Sequence, residues 1–325
     1  MRLDIIPLDQ IGFVGQGLKR PECVLATAEG TLFVSDWDGG VTGIGPDGRQ
    51  RRWLAAAGAD IKPNGIALRP DGSFLIAHLG AESGGVFHLR RSGALTPFLL
   101  EVEGRPLPPT NYVMEDGRGR VWVSVSTRAM PRHLGYRRDR ADGFVVLCDR
   151  RGARIVADGL GYTNELALSP DGAWLYVNET FARRLSRLPL RSDGTLGARE
   201  TVAEFEAGTF PDGLAFDQEG AVWVVSIVSN RVIRISRDGR QETILEDCDE
   251  EHVAWVEEAF QAGRMGRAHL DQVKSQRLCN ISSIAFGGED LCTAYLGCLL
   301  GGSLATFRSP VPGLPPPHWQ YRGRP

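Results

Sequence analysis

The stretch YTNELALSPDGAWLYVN, residues 162–178, decides the fold. A polar residue, Asn164, opens an apolar-rich run, a Pro-Asp-Gly turn reverses the chain, and an aromatic and β-branched run returns it. The same phrase recurs as RPECVLATAEGTLFVSD (20–36), KPNGIALRPDGSFLIAH (62–78), PTNYVMEDGRGRVWVSV (109–125), FPDGLAFDQEGAVWVVS (210–226) and NISSIAFGGEDLCTAYL (280–296). A third strand pattern follows most of these hairpins, as in GGVTGI, GGVFHL, DGFVVL, RRLSRL and NRVIRI, so each repeat fills a four-stranded blade with one linking strand.

The residues that open the phrases are Glu22, Asn64, Asn111, Asn164, Asp212 and Ser282, at intervals of 42, 47, 53, 48 and 70 residues. Such spacing predicts an all-β chain, a six-bladed β-propeller, with residues 1–325 forming a single domain. The long last interval holds DEEHVAWVEEAFQAGRMGRAHLDQVKSQ, whose Val253, Val256, Ala259 and Phe260 recur at helical spacing. A short helical insertion over about 249–275 is therefore expected between blades 5 and 6. Ring closure is expected to pair the N-terminal segment with GSLATF, since an open ring leaves sheet edges unpaired. The Pro-rich segment of about 309–325 is expected to pack as a tail on one face.

Composition limits the function classes. With 42% apolar and 24% charged residues the 325-residue chain is an ordinary globular one, and its apolar runs are far too short to span a bilayer. The opening MRLDIIPLDQ lacks a signal-peptide h-region, which gives a cytoplasmic reading. A net charge of −3 and a pI of about 6.1 supply no basic field for nucleic acid or anionic lipid. Six dispersed cysteines without CxxC spacing fit buried thiols better than a zinc site or a disulfide framework. No GxSxG, HExxH or phosphate-loop motif is present.

In a propeller, the starts of the innermost strands face one central channel, so the six opening residues meet there. They bring two carboxylates (Glu22, Asp212), three amides (Asn64, Asn111, Asn164) and one hydroxyl (Ser282). Two adjacent carboxylates repel unless one is protonated or a cation neutralises both. An all-oxygen set suits a hard divalent ion: calcium first, with magnesium, manganese and zinc as alternatives. Asn64 and Ser282 lie in PNG and NISS, good turn sequences, so a structural role is the better reading for those two.

With these residues in place, the chain resembles the senescence marker protein (regucalcin), gluconolactonase and luciferin-regenerating enzyme family over nearly its full length. The resemblance rests on Pro21-Glu22, Asn111 in PPTNYV, Asn164 in GYTNELALSPDGAWLYV, Asp212 in FPDGLAFD and the phrase AFGGEDLCTAYL. It implies that Glu22, Asn164 and Asp212 bind the metal, and that Asn111 ligates it or contacts substrate, with Asn64 a further possible contact. The implied activity is metal-dependent hydrolysis of a small lactone, with Asp212 as base and Asn111 orienting the carbonyl. The alternatives are another metal-dependent hydrolysis on the same scaffold, of phosphotriesters, and a non-enzymatic calcium-binding propeller.

Sugar-lactonase members carry a substrate-holding Arg two residues before the Asn that matches Asn111; here it is Pro109, and the Gly after the fourth-blade Asn is Glu165. Substrate, oligomeric state and the roles of Glu165, Glu179, His78 and His252 are open at this level.

Overall fold

The computed structural model describes residues 3–323, so the last residues of the 1–325 domain and of the tail lie outside the described residues. Six four-stranded antiparallel sheets make the molecule, and their innermost strands contact one another in a closed ring. From blade 1 to blade 6 these inner strands are Val24–Ala26, Pro63–Leu68, Tyr112–Glu115, Thr163–Leu168, Thr209–Phe216 and Ile281–Gly287. Blade 6 is completed from both ends of the chain. Its outermost strand, Gly12–Val14, runs antiparallel to Leu304–Arg308 with Gly12 opposite Thr306, which is the expected closure. Among the described residues no helix is long and apolar enough to cross a membrane.

Four of the six inner strands begin with a register shift, between Pro63 and Ile66, Thr163 and Leu166, Pro211 and Leu214, and Ile281 and Ser283. Asn64, Asn164, Asp212 and Ser282 sit inside those shifts. A bulge turns a side chain out of the regular alternation, and of these four residues Asn164 and Asp212 line the small cavity on the axis. PNG and NISS are therefore not turns, as their composition suggested; the first is strand and the second enters one. The glycine after the anchor meets a second demand, close approach of neighbouring inner strands. A Cβ at Gly65 would lie 2.6 Å from Tyr112 Cα, and one at Gly213 would lie 2.5 Å from Ser283 Cα.

Between blades the core is aliphatic with buried tryptophans. Trp122 and Trp223 are fully buried, and each indole N–H donates at 2.9 Å to an aspartate at the start of its own hairpin turn, Asp116 or Asp217. A buried indole needs such a partner. Trp37 and Trp174 lie closer to the surface. Arg20 stacks on the first at 4.4 Å and Arg187 on the second at 4.1 Å.

The insertion between blades 5 and 6 forms α1 (Glu250–Gln261) and α2 (Ala268–Asp271). Asp249 caps α1 by accepting from the His252 N–H at 2.8 Å, and His252, Val256, Ala259 and Phe260 form its buried face. Phe260 packs on Phe210 at 5.2 Å, while Arg183, ion-paired to Glu257, lies over both rings. This fastens the insertion over the anchor end of the channel. At the opposite end the Pro-rich tail crosses the axis, from a Leu314 N–H bond to Phe216 to an Ala28 N–H bond to Trp319.

Candidate metal centre

One small cavity of about 30 Å³ on the anchor end of the axis is lined by Glu22, Asn111, Asn164 and Asp212 together. Four blades thus deliver the four residues singled out from sequence. The strands hold their backbones rigidly, and each side chain is buried: Glu22 is 6% and Asp212 4% exposed.

The amides are oriented by hydroxyls on the second strand of their own blades. Asn111 Nδ2 donates to Ser126 Oγ and Asn164 Nδ2 to Thr180 Oγ1, both at 3.0 Å. The Thr180 hydroxyl is itself held, donating to Pro211 O at 2.8 Å. With its N–H₂ engaged, Asn164 is left with a buried Oδ1 that has no hydrogen-bond partner. An orphaned buried acceptor costs about 1–3 kcal/mol, and a cation satisfies it. Nor does any donor among the described residues bond the Asp212 carboxylate, whose pKa is driven well above the usual range by burial and then by Glu22 and Glu165. Glu22 is better provided for, because the Arg20 guanidinium contacts one of its oxygens at 3.1 Å. An unbonded carboxylate, a half-paired carboxylate and an unpartnered amide oxygen around one small space fit a hard divalent cation. Among the described residues no group of three or more His, Cys, Asp or Glu gathers, here or elsewhere; in this cavity two carboxylates are joined by amide oxygens.

The remaining candidates fall outside the cavity lining. Asn64 stands behind Asn111, its Nδ2 donating to Asn111 O at 2.9 Å and to Asn111 Oδ1 at 3.4 Å. Ser282 donates to the Glu22 carbonyl at 3.0 Å. His78 Nδ1 accepts the Lys62 N–H at 3.0 Å, and His252 faces the His269 carbonyl at 3.1 Å, so both imidazoles hold loops. Glu165 points the other way along the axis, into a larger apolar cavity of about 370 Å³ roofed by residues 314–318. It accepts the Leu214 N–H freed by the blade 5 bulge at 3.2 Å, and burial followed by the Glu22 charge raises its pKa to about 8. Size does not make that larger cavity the site, since the charges and orphaned acceptors converge on the smaller one.

Glu179 is structural. Fully buried, it takes both nitrogens of Arg184 at 2.7 Å, Ser186 Oγ at 2.5 Å and the Gly161 N–H at 2.6 Å. Although burial opposes it, these bonds hold its pKa below the ordinary glutamate value. Its stabilisation is therefore complete above the unfolded-state pKa and is lost as pH falls through the folded one. Glu179→Ala is expected to destabilise the protein by about 3–5 kcal/mol, because it strands buried partners; urea denaturation at neutral pH measures this.

Sequence reading passed over the residues that complete the cavity: Arg20, Arg132, Tyr136, Tyr162, Phe181 and Arg267 among them. Tyr136, Tyr162 and Phe181 pack with centroids 4.6–5.4 Å apart and form its apolar wall.

Comparison with known proteins agrees with the fold. A 6-deoxy-6-sulfogluconolactonase from Pseudomonas putida is 30% identical over 238 residues, 71% of this chain and 67% of that protein. Lactonase drp35 of Staphylococcus aureus is 26% identical over 221 residues, 65% of this chain and 64% of its own length. The chain thus spans about two thirds of the length of these relatives. Among solved structures, a gluconolactonase from Xanthomonas campestris superposes with a TM-score of 0.67 at 19% identity, covering 96% of this chain and 94% of that one. The calcium-binding protein regucalcin of Agrobacterium tumefaciens gives 0.66 at 18%, covering 96% and 98%. Residues 20–247 match the sequence profile of the SMP-30/gluconolactonase/LRE-like region, and the chain belongs to that family.

Proposed function

We propose that this protein hydrolyses a small lactone to its hydroxy acid with the help of one divalent cation, calcium first among the candidates. The observation that carries the reading is the convergence of Glu22, Asp212 and the unpartnered Asn164 Oδ1 on one buried cavity. The lactonases among its relatives support it.

Glu22, Asn164 and Asp212 would hold the cation, with Asn111 beside it. Such an ion, when bound, polarises a carbonyl and lowers the pKa of water. The chain's own groups do the rest. Asp212, free of other hydrogen bonds, accepts a proton from the attacking water at a carboxylate oxygen. The water oxygen adds to the carbonyl carbon, the ring C–O bond breaks, and the proton passes to the departing ring oxygen. Asn111, fixed by Ser126 and backed by Asn64, orients the carbonyl. Glu22 supplies negative charge, and its pairing with Arg20 holds it in place.

A pH-indicator screen of chelated protein against diverse lactones, with and without Ca²⁺, Mg²⁺, Mn²⁺ and Zn²⁺, tests this. Metal-dependent acid release is expected. Silence across lactones in metal-binding protein overturns the reading, and a phosphotriester counter-screen then separates the two remaining alternatives. Within the site, Asn164→Ala is expected to lower kcat/KM by at least on the order of 100-fold and Asn64→Ala by on the order of 10-fold, since the second only positions Asn111. The reverse ranking would show that the bulge register assigned to the site is wrong.

A further inference from the structure

We infer that Arg132 selects the substrate of this site, and that the lactone it selects carries an anionic substituent away from the scissile bond. The inference rests on the lactonase reading above and deepens it.

Three arginines line the cavity, and two are committed. Arg20 pairs with Glu22, and Arg267 pairs with Asp271 one helical turn away. Arg132 has no carboxylate partner among the described residues. One terminal nitrogen reaches Ser126 Oγ at 3.5 Å, the limit of a hydrogen bond, and its Nε is buried without any partner. The guanidinium lies 5.5 Å from the centroid of the Tyr162 ring, within reach of a cation–π contact with the aromatic wall. Its anchorage is a short 3-10 helix, Arg132–Gly135, in the loop between the second and third strands of blade 3. A forked cation with an unpartnered buried Nε and no carboxylate partner among the described residues, held at a half-buried cavity wall, can receive a planar or tetrahedral anion.

Charge balance leads to the same place. Glu22 and Asp212 are offset by Arg20 and Arg132, so the side chains facing the cavity sum to about zero once the Arg267–Asp271 pair is set aside. A divalent cation then leaves an excess of two positive charges. The oxyanion that develops on the lactone carbonyl answers one of them. The other is unanswered unless the substrate brings its own negative charge, such as a carboxylate or sulfonate.

The test compares the γ-lactones of gluconic and glucaric acid, the same ring bearing a primary alcohol in one and a carboxylate in the other, using metal-loaded wild type, Arg132→Gln and Arg132→Lys. Wild type is expected to prefer the glucaric lactone by about 10- to 100-fold in kcat/KM, the worth of a charge-assisted contact. Arg132→Gln is expected to erase that preference through KM, and Arg132→Lys to restore part of it, since it keeps the charge and loses the fork. Equal turnover of both lactones by wild type overturns the inference, as does a preference that survives in Arg132→Gln or a loss equal on both lactones.

Binding of glucarate, followed by calorimetry with and without calcium, reads the site independently of turnover. Affinity that rises with calcium and falls at least about 10-fold in Arg132→Gln supports the assignment; affinity indifferent to the variant removes it. Failure to hydrolyse either lactone counts against the lactonase reading alone, and the glucarate titration still decides the role of Arg132.

Discussion

Asp212→Asn is expected to lower kcat by at least on the order of 1,000-fold while leaving the fold intact. The effect follows from position and from chemistry. Among the described residues Asp212 is the one cavity carboxylate that no protein donor engages, so its oxygens are available both to an ion and to a water proton. The isosteric amide keeps the shape and the acceptor oxygen but cannot take up the proton, and loss of a general base costs typically 100- to 10,000-fold. Stability should move the other way. The carboxylate is buried beside Glu22 and Glu165, so removing its charge relieves repulsion in chelated protein. The thermal midpoint of the chelated variant is therefore expected at or above that of chelated wild type. Unchanged turnover would remove Asp212 from the mechanism; a collapsed melting transition would make it structural.

Removing divalent ions is expected to abolish wild-type turnover and lower its melting temperature, and adding Ca²⁺ to restore both. At a concentration 100-fold above Kd, ligand binding to the folded state alone stabilises it by about 2.7 kcal/mol. A shift of several degrees, growing with the logarithm of calcium concentration, is the outcome that scanning fluorimetry should record. In Asp212→Asn the same titration should shift the midpoint far less, since one of the two carboxylates that draw the ion is gone. A wild-type midpoint and turnover both indifferent to chelator and calcium would overturn the metal assignment.

The propeller was legible in the sequence because its repeat is written in residues that both form and turn strands. The phrase around Asn164 occurs six times, and each copy became an inner hairpin. The helical insertion was legible from the spacing of Val256, Ala259 and Phe260, all of which are buried. The cavity was legible only in its anchors. Glu22, Asn111, Asn164 and Asp212 hold equivalent positions in their repeats, which carries them to one end of the axis, although the equally placed Asn64 and Ser282 fall outside the cavity lining.

Residues that reach the cavity from irregular loops have no repeat to betray them. Arg132 and Tyr136 belong to a loop whose composition reads as solvated charge, and Arg267 stands just before a helix of four residues. The register shifts were hidden as well, because PNG composition suits a turn, while the observed bulge depends on how the neighbouring strand pairs. One missed feature did carry a signal. Ser126 and Thr180 each follow their asparagine by about one strand-turn-strand length, so a hydroxyl 15 or 16 residues downstream marks an amide that is being held in place.

Ring closure gives the site a mechanical meaning. Blade 6 is sewn together from the two extremities of the chain, and it stands between blade 5, which carries Asp212, and blade 1, which carries Glu22. The two carboxylates therefore reach the axial cavity from the two blades that flank the closing one. An ion held by both would tie together the blades on either side of that closure.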